Sequence, residues 1–268
     1  MKDIIKEILK FVIKAVIFFG ALFIMVNILL FFARERGITP LHKAIMKNKG
    51  IDQIVTLISA GANVNEKTKD GDTPLHKAAL HSENPEVIKV LYEAGADLNA
   101  KSEGGVTPLH MAAAHNTPAV NNVLLTAGAD INAKAKNDYT PLHWAARTNH
   151  APEVITTLIK AGADIEARAY IGMTPLHVAA VKNKNPEVIT ALIKAGADIE
   201  VRDEYGMTPL HVAALFNTTP EVLLVLLKLG ADPKARSKGG YTPWDYIQLN
   251  EAMKNTKAYW ALNDARYE

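Results

Sequence analysis

Two regimes of hydrophobic patterning divide the chain. Residues 15–33 form a continuous apolar run in which Asn27 is the one strongly polar side chain. A helix of that length spans about 28 Å, close to the ~30 Å hydrocarbon thickness of a bilayer. Extended back to Phe11, with Lys14 reaching toward the headgroups, the pattern predicts one transmembrane helix over residues 11–33. The run exceeds a cleaved h-region, and no small residue stands three positions before a cut at Ala33. It therefore reads as an uncleaved signal-anchor. Ahead of it lies a basic N-terminal tail, residues 1–10, whose Lys2, Lys6 and Lys10 continue with Lys14 at four-residue intervals. Residues 34–37 form a short linker. The charge balance favours the N-terminus in the cytoplasm and the rest of the chain outside it. The expected location is that of a single-pass membrane protein.

Beyond Gly37 the pattern turns periodic. Thr-Pro-Leu-His begins at Thr39, Thr73, Thr107, Thr140, Thr174 and Thr208, and an altered copy, Thr-Pro-Trp-Asp, begins at Thr242. The spacings are 34, 34, 33, 34, 34 and 34 residues. In each copy Thr is placed to cap a helix, and Pro takes the first helical position, where its missing N–H costs nothing. Paired alanines follow, as at Ala78-Ala79 and Ala145-Ala146, and allow helices to approach closely. A second helix start recurs as Asn84-Pro85-Glu86-Val87, Asn185-Pro186-Glu187-Val188 and their equivalents. It carries apolar residues at helical spacing, such as Val154, Ile155, Leu158 and Ile159. A glycine then ends it in a left-handed conformation. Each period is a helix–turn–helix–loop unit.

The Thr-Pro-Leu-His-x-Ala string and the near-33 period resemble the ankyrin repeat. The resemblance covers about residues 37–268. It implies an all-α ankyrin-repeat solenoid of about seven helix-turn-helix units, preceded by the transmembrane helix. Residues 38–240 hold six repeats, and residues 241–268 read as a C-terminal capping repeat with a wettable outer face. The extra residue of the 34-residue period falls between the two helices, where it is expected to lengthen an edge loop.

Composition narrows the function. Formal net charge is +2, but residues 1–50 carry nine Lys/Arg against three Asp/Glu, and the remainder carries 21 against 25. The repeat region is mildly acidic, which argues against nucleic acid as a partner. The absence of cysteine excludes disulfides and thiolate metal sites. Six of the nine histidines belong to Thr-Pro-Leu-His and read as structural, bonding the Thr hydroxyl and nearby turn backbone. No zinc-protease or phosphate-loop motif is present. The Gly-Ala-Asp carboxylates read as turn-bonding groups. The expectation is a protein that is not an enzyme and uses no cofactor, metal or small-molecule substrate.

The resemblance places partner binding on loop tips and on the exposed side of the first helices, which line a concave surface. In units four to seven these tips carry Tyr139, Ile171, Met173, Tyr205, Met207 and Tyr241, and Phe216 ends a first helix. Aromatic and Met side chains at tips are characteristic of binding hot spots. Met111, Trp144, Val178 and Val212, directly after the motif His, read as packing between repeats. The expected function is a membrane-anchored module that binds another protein as a scaffold or recruiter. The alternative is an inhibitor or immunity-type protein that blocks a partner enzyme.

Overall fold

The computed structural model describes residues 37–267. These residues form seven consecutive helix pairs. The first helices are α1 (Pro40–Met46), α3 (Pro74–His81), α5 (Pro108–His115), α7 (Pro141–Thr148), α9 (Pro175–Lys182), α11 (Pro209–Phe216) and α13 (Pro243–Ile247). The second helices are α2 (Ile51–Ser59), α4 (Pro85–Glu93), α6 (Pro118–Thr126), α8 (Pro152–Lys160), α10 (Pro186–Lys194), α12 (Pro220–Lys228) and α14 (Lys257–Ala265). Six loops, which we call fingers, join one unit to the next.

The basic tail and the apolar run 11–33 lie outside the described residues. Among the described residues no helix is long and apolar enough to cross a membrane. The longest have nine residues, about 14 Å of helix against the ~30 Å a bilayer requires. The expected location as a single-pass membrane protein is therefore corrected. What the structure describes is a helical repeat array.

Each first helix is begun by its motif. The Thr of all seven copies has extended backbone, and Pro opens the helix after it. In six copies the capping box is completed by His, which stands where Glu or Gln usually does. The backbone N–H of Thr73, for example, donates to Nδ1 of His76 at 3.1 Å. A buried ring that accepts at Nδ1 keeps its proton on Nε2. That Nε2–H donates across the unit boundary to the Val106 carbonyl at 3.0 Å. The same bond recurs from His42, His110, His143, His177 and His211 to the residue before the next Thr. Asp245 replaces His in the seventh copy and accepts from Thr242 N and Oγ1. Its carboxylate is an acceptor only, so the series of bonds stops there.

First helices pack on one another more closely than second helices do. Their paired alanines, Ala78-Ala79 through Ala213-Ala214, are fully buried. The stack therefore curves with the first helices inside. Second helices supply the larger core side chains, such as Ile155, Leu158, Ile189 and Leu192.

The inter-helix turns do more than lengthen an edge loop. From the second unit on, a polar residue just past the first helix turns inward: Ser82 in unit two, and a buried asparagine in each later unit. Nδ2 of Asn183 donates to the carbonyls of Ala146 and Asn149 in the preceding unit, and its Oδ1 accepts from Asn185 N. Asn116, Asn149, Asn217 and Asn250 bond the preceding unit in the same way. Unit three, which lacks the extra residue, shows a compensation. Asn121 occupies the core position held by Ile or Leu elsewhere, and its Nδ2 donates to Ala112 and Thr117 carbonyls, bracing the shortened turn.

Candidate functional site

Fingers bring the candidate residues together. At each finger the chain turns through residues of positive φ and returns to the next Thr. Glu103 N donates to Asp70 O, Glu204 N to Ile171 O, and Lys238 N to Tyr205 O, so these fingers are joined edge to edge. Beneath them Arg168 and Arg202 each donate to a carbonyl of their own finger and to one of the next. Most turn positions are filled by glycine or by Asn and Asp, which tolerate positive φ. Ile171 is the exception, with φ 56° and ψ 28°. A β-branched residue in the left-handed region costs on the order of 1–2 kcal/mol, and such strain gathers where side chains serve recognition.

The candidate side chains separate into groups. Tyr205 and Tyr241 are each 56% exposed on adjacent fingers, and Tyr170, which the sequence pattern did not single out, is 60% exposed beside them. Tyr139, Ile171 and Met173 are half-buried on theirs. Met207 does not belong with them. Its side chain is only 7% exposed and joins the core, which corrects its assignment to the surface. Its carbonyl accepts from His177 as its counterparts accept from theirs, but its side chain packs into the core, whereas Tyr241 in the same register stays exposed. Phe216 is exposed, but at the other end of a first helix about 12 Å long. In the same register of the next unit stands Leu249, 70% exposed. Phe216 and Leu249 thus form a second apolar position apart from the finger tyrosines.

Packing expectations for the column after the motif His hold at Val178 and Val212, which are buried. Trp144 meets them only in part. It is half-buried, its ring stands edge-on to His110 at 5.7 Å, and it borders a groove of about 340 Å³ between two fingers and α7.

Histidines of the motif are structural by geometry. Burial lowers their pKa values, to about 4 for His110 and His143, against the weaker opposing pull of their carbonyl bonds. The Gly-Ala-Asp carboxylates close turns: Asp164 Oδ1 accepts from Glu166 N, and Asp198 Oδ1 from Glu200 N. Among the described residues no group of three or more His, Asp or Glu is placed to hold a metal.

The family model for ankyrin repeats matches in three copies, over residues 12–102, 99–169 and 167–237. The chain belongs to the ankyrin-repeat family. The first matched copy begins inside the apolar run that the sequence pattern assigns to a membrane span. Among solved ankyrin structures, the crystal structure of the human ASB11 ankyrin repeat domain is 29% identical, with a TM-score of 0.73. The likeness covers 85% of this chain and 97% of that one. No curated protein matches the chain. Ankyrin folds serve many partners, so the family gives protein binding as the class of function, and the partner must be argued from this chain's own surface.

Proposed function

We propose that this ankyrin array is a protein-binding module without catalysis of its own, and that it engages its partner through the concave face and the fingers of units four to seven. The observation that carries the reading is the row of tyrosines, Tyr170, Tyr205 and Tyr241, exposed on fingers that are bonded edge to edge and underpinned by arginines. Tyrosine offers large contact area at little conformational cost, and a rigid platform spares the ordering penalty of binding. Ile171, held in a strained conformation on the same row, agrees with a surface shaped for recognition. Tyr139 and Met173 border it, and Phe216 offers a separate apolar contact at the far end of the first helices.

A photo-crosslinking amino acid placed singly at Tyr205 and at Tyr241 tests this in cells of the source organism. Both positions are expected to give the same discrete protein adduct, while Lys160 and Lys194 on the outer helices give none. Equal adducts from all four positions would overturn the proposal. Tyr205→Ala with Tyr241→Ala is expected to lose the complex and to retain helical circular dichroism.

A further inference from the structure

Charge is divided across this solenoid in a way that the whole-chain value of +2 conceals. The six first helices from α1 to α11 contain four Lys/Arg and no Asp or Glu. The six second helices from α2 to α12 contain four Lys/Arg and six Asp/Glu. The fingers, residues 67–72, 101–106, 134–139, 168–173, 202–207 and 236–241, add nine Lys/Arg against six Asp/Glu. Two of those six are buried: Asp72 against Lys77, and Asp203 beneath the backbone N–H groups of Tyr205 and Met207. The inner face is thus basic and the outer face acidic.

Within this basic face the groove at Trp144 is built differently from its neighbours. Gly104 takes the finger-tip position that Asp70, Asn137, Ile171 and Tyr205 hold on other fingers, as Gly239 does on the last one, so no side chain closes the groove at its tip. Trp144 takes a column otherwise filled, in the first six units, by Lys43, Lys77, Met111, Val178 and Val212. Together with Tyr139 it gives the groove an aromatic wall. On the rim stand Lys136 and Arg147, both exposed, and neither pairs with a described acidic residue. The carboxylate nearest in sequence, Asp138, lies 3.7 Å from Lys134 instead. A groove of about 340 Å³ falls at the lower end of the usual range for ligand sites, enough for one large apolar side chain and its flanking backbone.

We propose that this groove takes an acidic linear peptide segment of the partner, with one aromatic or large aliphatic side chain against Trp144 and Tyr139. Flanking carboxylates pair with Lys136 and with the forked guanidinium of Arg147. Charge complementarity selects the occupant. Two cations without an acidic partner among the described residues flank an apolar pocket, and the acidic outer helices repel the same peptide from the wrong side. The inference rests on the reading of the concave face as protein-binding and adds the chemistry of what binds there.

Display selection of random twelve-residue peptides on the purified full-length protein tests it. Selection is expected to enrich peptides with an aromatic or large aliphatic residue flanked by Asp or Glu. Binding of a labelled consensus peptide, followed by fluorescence anisotropy, is expected to weaken at least tenfold in Arg147→Glu and in Lys136→Glu. It should also weaken as salt is raised, and stay within twofold in Lys160→Glu with Lys194→Glu. Circular dichroism of each variant verifies the fold; all four side chains are exposed, so it should be unchanged. Enrichment of basic peptides, absence of any enriched motif, acidic peptides indifferent to both inner-face variants, or a single-stranded oligonucleotide bound in preference to the consensus peptide would each overturn the proposal. If the peptide result fails while the finger crosslinks persist, the chemistry assigned to the groove is wrong and the protein-binding reading stands.

Discussion

At the scale of the residue, two side chains recur and each bonds in two directions. The motif His accepts at Nδ1 from its own Thr and donates from Nε2 to the next unit, and the turn Asn donates to the preceding unit and accepts from its own backbone. A buried group of this kind is worth more than its net bond energy, because removing it leaves several backbone groups without partners. Asn183→Ala is expected to destabilise the protein by about 2–4 kcal/mol in urea unfolding. Asn183→Asp should cost more, because a carboxylate would face the Ala146 and Asn149 carbonyls it cannot donate to. Equal stability of Asn183→Ala and wild type would remove the bridging role. The histidine was legible from its motif. The asparagine was equally periodic but escaped notice, because a polar residue in a turn reads as exposed until its bonding partners one unit away are known. Met207 shows the opposite error: its place in a loop suggested exposure, and only the direction of its side chain places it in the core.

At the scale of the element, the thin first helices and the bulkier second helices set the curvature. Ala179 is fully buried in α9 between its neighbours. Ala179→Leu inserts three carbons where helices meet and is expected to cost about 1–3 kcal/mol or more by chemical denaturation. Lys182→Leu, on the exposed side of the same helix, should stay within about 0.5 kcal/mol. An equal effect of the two would contradict the close packing of first helices. Helix pairs of units two to six were legible because Thr-Pro starts, alanine pairs and terminal glycines mark each one with an independent signal. The compensation in unit three was not, since Asn121 in an apolar column looks like noise until the shortened turn above it is seen. Nor was the groove: a tryptophan at helical spacing reads as packing, and whether its neighbour lacks a side chain at Gly104 matters only once the fingers lie side by side.

At the scale of the whole molecule, six neutral histidines make folding sensitive to acid. Burial holds their folded-state pKa values below the unfolded value of about 6.5, to about 4 at His110 and His143. The unfolded chain therefore binds protons first, and the stability these groups lend is fully present above pH 6.5. It is lost as pH falls from there toward 4. His110 and His143 should each account for about 2–3 kcal/mol over that interval. Glu166 and Glu200, whose pKa values burial raises, act in the opposite sense, easing a penalty as pH falls through their raised values toward the ordinary carboxylate pKa. The urea midpoint is expected to fall steeply between pH 6.5 and 4.5, and a flat profile would contradict neutral, bonded histidines. The apolar segment 11–33 is the part of the chain where hydrophobicity alone was least informative. An unbroken apolar run satisfies a bilayer and a family model of helical repeats alike, and the periodic signals that identify the later units are missing from it.

The bonds between units have one further consequence. The histidine bond joins each unit only to the next, and the asparagine bond joins each only to the one before. Excision of residues 174–207 would bring Asn217 to the partners that Asn183 has now and leave His143 its Met173 carbonyl. The molecule is therefore built to change length without redesign: duplication or loss of a whole period closes both series of bonds again. Its inner surface can be rewritten one segment at a time, at the finger tip and at the column after the motif His, while the connecting hardware stays constant.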